Sequence, residues 1–247
     1  LVCIAASVLF ESMFNRITHR EDTITDLSAV VTGILLAMNL PAGYPYWMAV
    51  IGCFVAIVIV KQLFGGIGHN FANPAITARI VLLLSFTSQT TDWSMARRGV
   101  EAADAIAAAT PLELFSFGKI DQIPSYLELF LGTINGSMGE TSALALLIGL
   151  GILLYRKVIT PAIPASFLGA MVVFSLLVGE DPLFHILAGS AMLGAIFMAT
   201  DYATSPLTMS GKIVYGIGCG LLTMMIRLYG SYPEGVSFAI LFMNILT

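Results

Sequence analysis

Apolar residues in this chain come in long runs, not in the strict alternation of a strand or the single stripe of a soluble helix. Nine such runs can be read, at 1–10, 26–40, 45–63, 74–90, 141–155, 161–179, 183–199, 209–228 and 236–247. The first reads as the tail of a helix and the last as one cut short. Several fall below the roughly 20 apolar residues that a spanning helix needs. They are either completed by flanking residues or are half-helices meeting inside a membrane. Local punctuation supports these divisions. Asn73 before Pro74 predicts an N-cap with proline at the first helical position, and Pro161 and Pro164 open the 161–179 run. Gly65, Gly66 and Gly68 end the 45–63 run and permit a tight, unwound turn.

Composition turns this pattern into a class. Hydrophobic residues make up 57% of the 247 and charged residues 11%, with a mean hydropathy of +0.91, whereas soluble domains carry about a quarter charged residues. Most of the surface must therefore face lipid or other helices. The net charge of −4 decides little, and the absence of a basic stripe argues against nucleic acid as a partner. Cys3, Cys53 and Cys219 sit far apart in apolar runs. They read as buried small hydrophobes, and no spacing suggests a zinc or iron–sulfur site.

The placement of charge predicts sidedness. Arg16, Arg20, Lys61, Arg156, Lys157 and Lys212 fall in connections on one side, which the positive-inside rule makes cytoplasmic. The opposite connections 41–44 and 180–182 hold no Lys or Arg. The long 91–140 connection, with Arg97, Arg98 and Lys119, is thereby expected outside.

An internal repeat sharpens the architecture. Gly33-Ile-Leu-Leu-Ala-Met38 resembles Gly194-Ala-Ile-Phe-Met-Ala199; further on, Gly52-Cys53 aligns with Gly218-Cys219 and Lys61 with Arg227. The second copy starts an odd number of helices after the first, so the copies are inverted. The expected fold is an all-α integral membrane protein of about ten transmembrane helices in two inverted five-helix repeats with broken helices. Nine helices fall in this chain, one being expected before Leu1. The whole, 1–247, reads as one membrane domain: a first repeat at 1–90, the connection 91–140, and a second repeat at 141–247.

Polar residues in such a bundle are costly and mark function. The break 65–74 concentrates Gly66, His69, Asn70 and Asn73, and the related break 198–208 carries Thr200, Asp201, Thr204 and Ser205. Unwound backbone and a carboxylate there can hold an ion or a polar ligand; a self-satisfied turn and a helix cap are the plainer readings. Gly66, Asn70, Asn73 and Asp201 are the candidate ion or flavin site. Arg79, two turns into the 74–90 run, is expected to snorkel or to pair within the bundle.

Gly65-Gly-Ile-Gly-His-Asn-Phe-Ala-Asn-Pro-Ala75 and Phe197-Met-Ala-Thr-Asp201 resemble the paired signatures of the NqrB/RnfD family, membrane subunits of the sodium-pumping NADH:quinone reductase and of the Rnf complex. Thr204-Ser205-Pro206-Leu207 favours the Rnf branch. The resemblance implies covalent FMN, joined through its phosphate to a threonine in a pattern Asp-x-x-Ser/Thr-Gly-Ala-Thr. Here Asp104, Ala109 and Thr110 match, while Ala107 replaces the Ser/Thr and Ala108 the glycine. Pro111 biases Thr110 away from helix and so helps to present its hydroxyl; without the family, Thr110 reads as an ordinary N-cap. The resemblance further implies electron flow from ferredoxin to NAD coupled to Na+ or H+ export across the cell membrane, other Rnf subunits as partners, and room for a noncovalent riboflavin, for which the 65–74 break is a candidate. A channel or solute transporter, and the equivalent quinone-reductase subunit, are the alternatives.

Overall fold

The computed structural model describes residues 1–21, 23–93, 109–230, 232 and 234–247, and among these there is no strand. Thirteen α-helices occur among them: α1 Val2–Ile17, α2 Ser28–Met38, α3 Tyr46–Phe54, α4 Pro74–Ser85, α5 Thr87–Thr90, α6 Pro111–Ser116, α7 Tyr126–Leu131, α8 Ala143–Tyr155, α9 Ala162–Val178, α10 Pro182–Leu187, α11 Ala191–Leu193, α12 Met209–Tyr229 and α13 Val236–Leu246. Wide π-helical turns extend α3 through Val55–Gln62 and α11 through Gly194–Met198. The closing bonds, Leu63 N–H to Val58 O and Ala199 N–H to Gly194 O, each reach back five residues.

The burial pattern is that of a bundle whose surroundings are apolar. On α1 the buried stripe is Cys3, Ser7, Glu11 and Asn15, one residue per turn, while Leu9, Met13 and Ile17 face outward. Leu176 and Leu177 likewise face out from α9 beside buried Ser175. A water-soluble helix does the reverse. In lipid, exposing leucine costs nothing, and polar groups gain by turning inward to partners. Among the described residues only α12, at 21 residues, is long and apolar enough to cross a bilayer unaided. By contrast α2 and α13 have 11 residues and α4 has 12, roughly 17 Å of helix at 1.5 Å per residue.

The two halves pack by a similar scheme. In the first, α1 lies on α2 and α3, and α4 on α3; in the second, α9 lies on α10 and α12, and α13 on α12. Glycines allow the closest approaches. A side chain at Gly220 would strike the α9 backbone at Phe167 O, and one at Gly33 would lie 2.8 Å from Cys3 O on α1. Gly52 faces Leu82 of α4, and Gly218 faces Met243 of α13, each leaving 2.6 Å for an added carbon.

Several boundaries differ from those the hydrophobic runs suggest. The first helix continues to Ile17, so Glu11 and Arg16 are helical and the 11–25 connection is shorter than expected. The 74–90 run divides at Phe86. The 183–199 run divides at Ala188–Ser190, where Gly189 adopts φ +67°. Lys61 and Arg227, expected from sequence as charges at helix ends, are buried inside the bundle and so carry less weight for sidedness than free lysine or arginine would.

Candidate functional site

Four helix ends converge within the bundle. Asn73 caps α4, its Oδ1 accepting the N–H groups of Ala75 (3.0 Å) and Ile76 (3.2 Å), with Pro74 in the first turn where no N–H is needed. Its Nδ2 donates to Met198 O (3.2 Å), at the end of the π-helical turn after α11. Asn39, the C-cap of α2, lies against the same residue, its Nδ2 3.6 Å from Met198 Sδ. From α13, Asn244 meets the Tyr215 hydroxyl at 2.5 Å; with its amide oriented to satisfy both of its atoms, its oxygen accepts the Asn73 N–H at 3.0 Å. The Asn73-Pro74 signature and the Phe197–Asp201 signature are thus hydrogen-bonded to each other although 125 residues apart.

Beside this junction is a cavity of about 400 Å³, lined in part by Asp26, Lys61, Asn70, Asn73, Phe197 and Asp201. Three of the four sequence candidates, Asn70, Asn73 and Asp201, meet here. Gly66 is not in the lining. It sits in the unwound turn at φ +96°, between Gly65 at +121° and Gly68 at +84°, conformations that glycine alone adopts without strain. His69 is exposed and bonds only its own turn, at Ile67 O.

Asp201 also holds its own turn, Oδ1 accepting Ala203 N–H (3.3 Å) and Oδ2 the Thr204 hydroxyl (3.1 Å). The capping role is therefore present, and burial nevertheless raises its carboxyl above the ordinary range. Lys61 does not offer the cavity a free charge. Its Nζ meets both oxygens of Glu11 (2.9 and 3.0 Å) and Ser28 Oγ (2.5 Å). Thr23 (2.7 Å) and Gln62 (2.8 Å) donate to the same carboxylate. Sequence reasoning does not single out Glu11; a carboxylate at the edge of an apolar run is the one signal that could have found it. No group of three His, Cys, Asp or Glu side chains suited to a metal occurs among the described residues.

Thr110 lies elsewhere, in the 91–140 connection. Its backbone is extended (φ −75°, ψ 159°), as Pro111 dictates. The hydroxyl is not freely presented, however. Thr110 is 6% exposed and caps α6 in a reciprocal box: Oγ1 accepts Glu113 N–H (3.2 Å), and Glu113 Oε2 accepts Thr110 N–H (2.7 Å). Burial raises the Glu113 carboxyl, against the lowering effect of those Thr110 bonds. The space these residues share with Trp93, Arg79 and Glu234 is about 60 Å³. That holds a water or two, so a flavin joined to Thr110, which needs roughly 300 Å³ or more, would have to lie outside this space. Arg97, Arg98, Asp104, Ala107 and Ala108 lie outside the described residues. Arg79 pairs within the bundle, with Glu234, Asn39 Oδ1 (2.9 Å) and Ser237 Oγ (3.3 Å).

The sequence profile of the NQR2, RnfD, RnfE family matches residues 1–247. The chain is 49% identical over 248 residues to the D subunit of the Na(+)-translocating ferredoxin:NAD(+) oxidoreductase complex of Acetobacterium woodii, covering 100% of this chain and 77% of that protein. It is 41% identical to the D subunit of the proton-translocating ferredoxin:NAD(+) oxidoreductase complex of Clostridium ljungdahlii, over 99% and 78% of the two chains. The D subunit of the ion-translocating oxidoreductase complex of Ectopseudomonas mendocina is 40% identical over 90% of this chain and 71% of its own.

Proposed function

The chain belongs to the NQR2, RnfD, RnfE family as an RnfD-type subunit, and from that premise we propose that it carries electrons within an ion-translocating ferredoxin:NAD+ oxidoreductase complex. Its place is in the cell membrane beside the other Rnf subunits. In this reading about ten spanning helices form two inverted repeats, and 91–140 faces outward. Thr110 carries FMN as a phosphoester, and Na+ or H+ crosses near the central junction. Helices alone have no redox chemistry, so the flavin supplies it. The chain's own residues position, neutralise and exclude water. The observation that carries the reading is the junction itself: both family signatures end helices there, hydrogen-bonded to each other beside a cavity with two carboxylates in its lining. Half-helix ends of this kind hold ions in transporters. Asn70, Asn73 and Asp201, with Gly66 shaping the turn, are the residues assigned to ion or second-flavin binding.

The test is mass spectrometry of the native subunit with in-gel flavin fluorescence. The reading expects an FMN mass increment on the Thr110 peptide, lost in Thr110→Ala. An unmodified peptide from cells that hold the flavin transferase leaves Thr110 as the helix cap its geometry already makes it, and removes the covalent flavin.

A further inference from the structure

Among the described residues, buried polar atoms lacking a hydrogen-bond partner gather on the side of the bundle that carries Thr110. They include Glu140 Oε2, both ring nitrogens of His185, and the hydroxyls of Ser190 and Thr223. All four residues are at most 4% exposed. Three lie close along the chain to Arg227 or to its hydrogen-bond partners. Its guanidinium takes the carbonyls of His185 (2.5 Å) and Ala188 (3.0 Å), Ser190 follows two residues later, and Thr223 precedes Arg227 by one helical turn.

Glu140 is the chemically telling member. It ends the 91–140 connection in a turn tied to α2, where Gly139 N–H donates to Met38 O at 2.8 Å. Oε1 accepts Ser137 N–H at 3.0 Å; Oε2 makes no hydrogen bond of ordinary geometry among the described residues, and the nearby Ser137 hydroxyl, likewise unpartnered, also acts on this carboxyl. Around it stand Arg79 from α4, Arg227 from α12, Glu234 from the turn before α13 and, beyond Glu234, Glu113 from α6. Burial and the Glu234 carboxylate push Glu140 up to about 7, opposed by Arg79 and the Ser137 bonds. Ionised, Oε2 needs a donor; protonated, it needs an acceptor. The Ser137 hydroxyl can serve either state but cannot carry a proton away; water serves both and can exchange, and buried water commonly fills such gaps.

We propose that Glu140 is a proton-exchanging carboxyl on the ion path, served at Oε2 by internal water. Hydronium gives its proton to Oε2 and leaves as water, and the reverse step returns it. Protonation of Glu140 moves the net charge of its cluster with Arg79, Arg227, Glu234 and Glu113 by one positive unit. Arg79 also holds Asn39, the α2 C-cap at the helix-end junction, so that change is felt where the half-helices meet. The role on an ion path rests on the ion-translocating reading above; the titration itself does not.

The experiment uses the intact complex in lipid, followed by infrared difference spectra between about pH 5 and about pH 9 and by ion movement during electron transfer. The expected result is a protonated-carboxyl band that grows as pH falls, with its midpoint near 7. Glu140→Gln lacks it, and Glu140→Asp keeps it at a shifted frequency. Glu140→Gln also loses most ion movement while electron transfer persists. A spectrum identical in wild type and Glu140→Gln overturns the proposal, as does undiminished ion movement in that variant. A midpoint that falls as sodium is added makes Glu140 a sodium ligand and equally overturns it. If Glu140→Gln does not assemble, Glu140→Asp decides by whether the band shifts. Wild-type complex that moves no ion sinks the functional reading instead, and the band still reports on Glu140.

Discussion

On the Asn73 side of the bundle, Lys61 meets Glu11 with all three ammonium donors used and four donor contacts from Lys61, Thr23 and Gln62 on the carboxylate. On the Thr110 side, Arg79 meets Glu234, Arg227 takes backbone carbonyls, and Glu140 keeps an oxygen unpartnered among the described residues. The residue types are much the same; the completeness of hydrogen bonding is not. A buried pair with every lone pair and proton satisfied has little reason to change charge, because either change strands its partner. A cluster with orphan atoms can admit water and shift protons at smaller cost. The first region is therefore suited to fixing the geometry of the cavity wall, the second to exchange.

The comparison breaks most visibly at the closed pair. Glu11→Ala or Lys61→Ala should destabilise by about 3–5 kcal/mol, since each leaves an uncompensated buried charge, whereas Glu11→Leu with Lys61→Met should recover most of that loss. Thermal unfolding in detergent measures both, and a double variant no better than the singles would sink the account. Arg79→Ala should cost less, about 2 kcal/mol, because the Glu234 side chain is 22% exposed and can recruit water. An equal or larger loss than at Lys61 would erase the distinction between the two clusters.

Smaller effects sharpen the picture. Glu113→Ala opens the α6 capping box and should cost about 1 kcal/mol, with Glu113→Gln retaining most of it. Amide exchange at Thr110 and Glu113 reports this locally. If Thr110 accepts FMN, the same opening should speed flavin incorporation into unmodified protein, since the hydroxyl is buried while the box is closed. The smallest effect concerns pH. Burial raises the Asp201 carboxyl, with Ala203 N–H and Thr204 opposing. The folded state then holds its proton to higher pH than the unfolded state, so this group's contribution to stability falls as pH rises from the ordinary value of 3.8 through the raised folded value. Asp201→Asn should remove that slope, its advantage over wild type growing across this window and then levelling. Unfolding midpoints against pH would show it, and parallel curves would refute it.

Much of the fold is written locally. The Asn73-Pro74 cap needs only an amide side chain and a residue without an N–H, and the Gly65–Gly68 turn needs only tolerance of positive φ. Both occur where the chain chemistry places them. The α6 capping box is equally legible, as Thr110 three residues before Glu113, yet a family pattern that ends on Thr110 draws attention to a presented hydroxyl instead. The break at Gly189 escapes a hydropathy reading because Ala188 and Ala191 continue the apolar run on both sides, and hydropathy averages across a single glycine at positive φ.

From sequence alone come the apolar class, the family signatures, local caps such as Asn73-Pro74 and the candidates Asn70, Asn73 and Asp201. Each depends on hydropathy or on neighbours a few residues away. Only the tertiary structure decided that Lys61 faces Glu11 across 50 residues and Arg79 faces Glu234 across 155, and that Glu140 is left beside Arg79 and Arg227 with one oxygen unpartnered among the described residues. Charge partners in a bundle are chosen by which helix faces come together, and glycines such as Gly33 and Gly220 set those approaches to within a carbon atom. One-dimensional pattern fixes which groups must be buried; packing in three dimensions fixes what they find there.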